Sequence, residues 1–196
     1  MQDAPADMVR TLPLVLILGL LVAFRVIGSQ FPEQLPNFQP LAAVFFCGAI
    51  LARSWKGFAI PAGVWLATYP LGIGHIGNLS MFGVTLISFA AIYFLGQQLA
   101  KRGMVFMLFG SLAAAALFHG ITCGFSWLAD PRYVKSAGGL WQSLWAGAPG
   151  DVLPSWVFLR NLAAANFLFT MVFIAARMRM PLEPIFSAKQ GLAESQ

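Results

Sequence analysis

His119 and Cys123 stand four residues apart, the spacing that puts two side chains on one face of a helix. An imidazole and a thiol so placed could face a soft metal, or the metal of a bound cofactor. Two ligands fall short of a zinc site, which takes three or four, so no metal is assigned. A hydrogen bond to a neighbouring helix is the other use of His119. Arg25 and Arg160 lie near the ends of apolar stretches. An arginine there either holds a carboxylate or phosphate with a forked pair of hydrogen bonds, or snorkels to lipid headgroups. Thr68, Tyr69, Asn78, Asn161 and Asn166 complete a set of polar side chains that fall toward one end of the apolar stretches. Asn37 joins them, with helix capping as its alternative role, because Pro40 suits a first helical turn. A polar side chain at lipid depth is expensive and faces protein or a water-filled cavity. The set therefore reads as one polar pocket opening to one side.

Catalysis finds no support. No carboxylate pair lies within the apolar stretches, and there is no Ser/His/Asp spacing of note, no HExxH and no phosphate-cradling glycine loop. The expectation is a protein that is not an enzyme, holds no cofactor and cannot hydrolyse ATP. Powered transport would need a separate engine.

The elements that must position these residues follow from composition. Of 196 residues, 59% are hydrophobic and 10% charged, against about 25% charged in a soluble domain. Mean hydropathy is +0.75. Eighteen Phe and six Trp exceed what a soluble particle of this size can hide, so the chain reads as an all-α, multi-pass membrane protein. Six apolar stretches, 11–28, 40–53, 57–74, 79–99, 104–127 and 153–176, predict a bundle of six transmembrane helices over residues 1–176, with a polar cytoplasmic tail at 177–196. The first is read as a retained helix, since its flank opens with acidic residues. The second is short, with an apolar section reaching only about 20 Å. Pro61 and Pro70 predict a bend or broken turn in the third. LVLILGLLVAF and SLAAAALF do not alternate, which excludes a β-barrel.

The net charge of +5 is scattered in single residues and pairs, which argues against nucleic-acid binding and fits membrane topology. With both termini cytoplasmic, the inner segments hold eight Lys/Arg (Arg10, Arg53, Lys56, Lys101, Arg102, Arg177, Arg179, Lys189) and the outer ones four (Arg25, Arg132, Lys135, Arg160). The outer segment 128–152 contains Trp141 and Trp145 at helical spacing beside Leu140 and Leu144. It predicts a short helix that either anchors in the interface or lids the bundle. Gly19/Ala23 and Gly110/Ala114 are small-residue pairs that let helices, or a partner protein, approach closely.

The stretch PNFQPLAAVFFCGAILAR at 36–53, Pro61, the string from Trp127 through LADPRY to Leu140, and the LP and RN of 153–161 resemble those of an uncharacterised bacterial membrane family. That family is allied to the substrate-binding S-components of energy-coupling-factor vitamin transporters. The resemblance covers roughly residues 12–176 and extends to solitary relatives that take up cobalamin. It implies capture of a vitamin-like micronutrient at the outer face of a bacterial inner-membrane protein, and release inward. Asn37, Trp127, Tyr133, Lys135 and Asn161 would then surround the mouth. Gly19/Ala23 would dock on a transmembrane coupling protein that works with separate ATPases. The expected partners are the lipid bilayer and a small-molecule substrate; a non-transporting membrane scaffold is the alternative.

Overall fold

The computed structural model describes Gly19, Ala23, Phe24, Ile27, Phe31 and residues 34–52, 55–72 and 79–179; side chains of 51–52, 68–72 and 176–179 lie outside that description. Six helices are resolved within it: α1 (Leu41–Ala52), α2 (Lys56–Gly72), α3 (Leu79–Leu99), α4 (Met104–Ala129), α5 (Ala137–Trp145) and α6 (Ser155–Arg179). Among the described residues there is no strand. Three helices are long and apolar enough to cross a membrane, over Leu79–Leu99, Met104–Ala129 and Ser155–Ala175. The protein is thus an all-α, multi-pass membrane protein. Of the first apolar stretch, Gly19, Ala23, Phe24 and Ile27 are helical. Phe24 meets Phe169 of α6 edge-on at 4.9 Å.

The shortest of the hydrophobic stretches occupies the centre. At 12 residues α1 spans roughly 18 Å, too little for a hydrocarbon core of about 30 Å. A helix apolar on every side must be covered on every side. Accordingly α1 packs against α2, α3, α4 and α6, and Leu41, Phe45, Phe46, Ala49 and Ile50 are all buried. Its apolar surface is thus covered by protein. α2 runs as one helix through Pro61 and Pro70, so the expected broken turn is not formed.

Between such helices lipid supplies no hydrophobic drive, and close fit takes its place. At Gly96 of α3 a β-carbon would lie 2.6 Å from the Phe46 carbonyl oxygen of α1. Gly110 of α4 likewise admits the Phe46 ring, and Ala114 is fully buried, so this small-residue pair serves internal packing. The Phe and Trp excess forms a seam through the core. Phe45 stacks on Phe89 at 4.3 Å, Trp65 stacks on Phe82 at 4.9 Å, and Phe89 meets Phe118 at 5.5 Å.

Candidate functional site

At the end of the bundle where α4 finishes and α6 begins, the chain folds into a cap. α4 stops because Asp130 is extended, and the carbonyl oxygens left at a helix end need donors. Lys135 supplies one: its Nζ donates to the carbonyls of Trp127 and Asp130. Trp127 Nε1 donates to the Val134 carbonyl at 3.0 Å. Gly139 of α5 lies against that same carbonyl, so closely that a β-carbon there would overlap it. Arg132 bridges Asp130 at 2.7 Å and Asp151 at 2.8 Å. Its hydrogen bonds hold the Asp130 carboxyl below the usual carboxylate range, and the two carboxylates fix the guanidinium in its charged form. Burial pushes the Tyr133 phenol up. Asp151 in turn accepts the Ala148 N–H at 3.0 Å, and Gly147 turns the chain at φ 87°.

α5 is the expected short helix of segment 128–152. Ser136 caps it, its hydroxyl accepting from the Gly139 N–H. One face, carrying Gly139 and Ser143, is buried; the other carries Trp141 and Trp145, which are 67% and 54% exposed. Both indoles therefore turn away from the bundle. They stack at 6.3 Å, and Trp145 stacks in turn on Trp156 of α6 at 6.4 Å.

His119 is buried and clasps this helix to α4: its Nε2 lies 2.8 Å from the Leu144 carbonyl oxygen. A carbonyl only accepts, so Nε2 carries the proton. Cys123 Sγ is nearly equidistant from the two ring nitrogens, at 3.7 and 3.6 Å, which does not aim the thiol at the Nδ1 lone pair. Among the described residues no group of three or more His, Cys, Asp or Glu could hold a metal ion.

A second clasp lies at the head of α6. Asn161, buried, donates through Nδ2 to the Pro36 carbonyl at 3.0 Å and so ties down the segment that leads into α1. Asn37 sits beside it in the left-handed region, φ 61°, where its amide oxygen accepts from Gln39 at 3.1 Å. It does not cap α1, which begins at Leu41 after Pro40; the helix opens instead with the Val44 N–H donating to the Pro40 carbonyl. Arg160 is exposed, with its guanidinium 5.3 Å from the Trp156 ring centroid and its Nε donating to Asn161 Oδ1.

The fold thus gathers His119, Cys123, Trp127, Trp141, Trp145, Arg160, Asn161 and Asn37 at one end. It does not turn them all toward one point. His119 and Asn161 bond to backbone of neighbouring segments, while Trp141, Trp145 and Arg160 face outward. Gly19 and Ala23 are exposed. Tyr69 lies on α2 with its side chain outside the description, and Arg25, Asn78 and the tail from 180 lie outside the described residues altogether.

Two features escaped sequence reasoning. Trp156 stands four residues before Arg160, a spacing that was visible. The Asp130–Arg132–Asp151 network joins residues whose separation in sequence hides their pairing. Asn166 of α6, one of the expected polar set, donates instead to the Ser111 carbonyl of α4 at 3.2 Å while its Oδ1 is buried without a partner.

A family model described as a family of unknown function (DUF6580) matches residues 6–183, and the chain belongs to that family. No curated protein and no solved structure matches it.

Proposed function

We propose that the protein is a membrane-embedded substrate-binding subunit for uptake of a small micronutrient, taken at the α5 end and released at the opposite one. The carrying observation is the clasped cap. His119 and Trp127 of α4 hold down a short helix and the turn before it by directed bonds, His119 to Leu144 and Trp127 to Val134. Each such bond is worth about 0.5–1.5 kcal/mol net, so the cap can open without disturbing the core. In this reading the bundle has six transmembrane helices in an S-component-like layout. The α5 end faces outward, and the basic turns 53–57 and 100–103 and the C-terminus face the cytoplasm of a bacterial inner-membrane protein.

Opening the cap would free His119, Cys123 and Trp127 to meet a solute in a largely apolar surround. A vitamin-like ligand fits this set, and a corrinoid would give the freed imidazole a cobalt to coordinate. Gly19 and Ala23, small and exposed, are the face offered to a transmembrane coupling protein with its own ATPases. A second reading, a non-transporting scaffold, is favoured by His119 and Asn161 both closing on backbone carbonyls.

One experiment separates the two. The purified full-length chain is titrated with a vitamin panel including cobalamin, and native preparations are analysed for bound small molecules and proteins. The uptake reading expects one compound to bind saturably, with affinity altered in His119→Ala. A flat response to every compound, with only proteins copurifying, overturns it in favour of the scaffold.

A further inference from the structure

The outward row of side chains on the cap has a separate use, whichever function the interior serves. α5 seals one face against the bundle and leaves Ala137, Gly138, Trp141 and Trp145 exposed on the other. Large indoles left in water forgo several kcal/mol of burial, so a helix built this way has a cover. What covers it is indicated by what the row joins. Trp156 heads α6, one of the three spans, and the exposed side chains below it recur at helical spacing: Arg160, Ala164, Leu168 and Val172. The stacked indoles thus continue a lipid-facing stripe up to its polar end. Tryptophan on a short amphipathic helix lies at headgroup level.

The charge of the row points the same way. The other two cations of the cap are engaged, Arg132 by Asp130 and Asp151, and Lys135 by backbone carbonyls. Arg160 has no carboxylate partner among the described residues. Standing in the second turn of α6, it reaches back toward the N-terminus to lie over Trp156, the direction in which helical side chains lean. Its Nε is taken by Asn161, and its two terminal nitrogens are left to face an anion at the membrane surface.

We infer that Trp141, Trp145, Trp156 and Arg160 form a seat for a phospholipid headgroup, with the phosphodiester on the Arg160 guanidinium and the indoles along the glycerol and upper acyl region. Since His119 ties α5 to α4, the seat fixes the depth of the cap as well as of α6.

The test uses the full chain in lipid nanodiscs whose phospholipids are brominated near the headgroup end of the acyl chain, or near its methyl end. Bromine near the headgroup should quench a component of the tryptophan emission that disappears in W141F/W145F/W156F. Bromine near the methyl end should leave that component intact. Equal quenching by both lipids, or none, overturns the proposal; none is the result expected if a protein partner covers the row. Native mass spectrometry then reads the anion contact. R160Q should retain about tenfold fewer phospholipid adducts, as a charge-assisted hydrogen-bond pair implies. R160K should fall between, having the charge without the fork. Inorganic phosphate should not displace the lipid. Displacement by phosphate, or unchanged adducts in R160Q, overturns the assignment. Unchanged melting temperatures of the variants serve as the folding control, since the residues are exposed and replaced conservatively.

Discussion

At Gly96 a single hydrogen atom stands between α3 and the Phe46 carbonyl of α1, and at Gly139 another stands between α5 and the Val134 carbonyl. The two contacts look alike, yet they belong to regions held by different forces. Phe45 and Phe46 of α1 pack in one cluster with Phe89, Ile92 and Leu162, and dispersion between close-fitting shapes does the holding. Around α5 the neighbours are Trp127, His119, Lys135, Arg132 and two aspartates, and directed hydrogen bonds and ion pairs do it. Inside a bilayer, apolar surface gains nothing by moving from lipid to protein, so only fit discriminates one packing from another. At the polar boundary water competes, and geometry has to be fixed by many bonds at once. The core should therefore fail as a unit and the cap should fail alone.

The largest expected effect comes from Gly96→Ala, set beside Gly139→Ala. The first forces α1 and α3 apart where only backbone can give, at a cost of about 1–3 kcal/mol or more, and should lower the melting temperature of the whole bundle. The second should leave that temperature nearly unchanged while exposing residues 130–151 to protease. Equal global destabilisation by both would show that cap and core are one cooperative unit.

A smaller effect is expected from His119→Leu. Losing the bond to Leu144 should raise amide exchange in α5 roughly tenfold, the equivalent of about 1–1.5 kcal/mol, with α1 unaffected. His119→Gln, which keeps a donor, should restore much of the protection. Exchange in α5 indifferent to both replacements would remove His119 as the clasp.

Acid titration gives the smallest effect. Asp130 has its folded-state value depressed by Arg132, so the stabilisation it provides is present above the ordinary carboxylate range and is lost as pH falls through the lowered value. Pepsin cleavage within 130–151 should accordingly begin only below that ordinary range in the wild type, and at higher pH in Arg132→Gln. Onset at the same pH in both would mean that the pairing does not hold the cap.

How much of this was legible beforehand divides along the same line. The long spans were visible because length and hydropathy are properties of consecutive residues; α3 matches the stretch 79–99, and α4 begins at 104 as expected. The short helix with Trp141 and Trp145 on one face was visible for the same reason. The central place of α1 was not, since a short apolar run reads alike whether lipid or protein covers it. Neither was the partner of His119, twenty-five residues away along the chain, nor that of Asn161, which lies on a segment before α1.

The sequence by itself determined that this is a helical membrane protein, and where along its runs polar groups such as His119, Asn161 and Arg160 stand. Both are local matters: how apolar a run is, how long, and which residue type stands where along it. Only the tertiary structure decided which of those polar groups close on backbone and which face outward. That outcome depends on the rotation of each helix about its axis, and rotation is set by close contacts such as Gly96 on Phe46 between residues far apart in the chain.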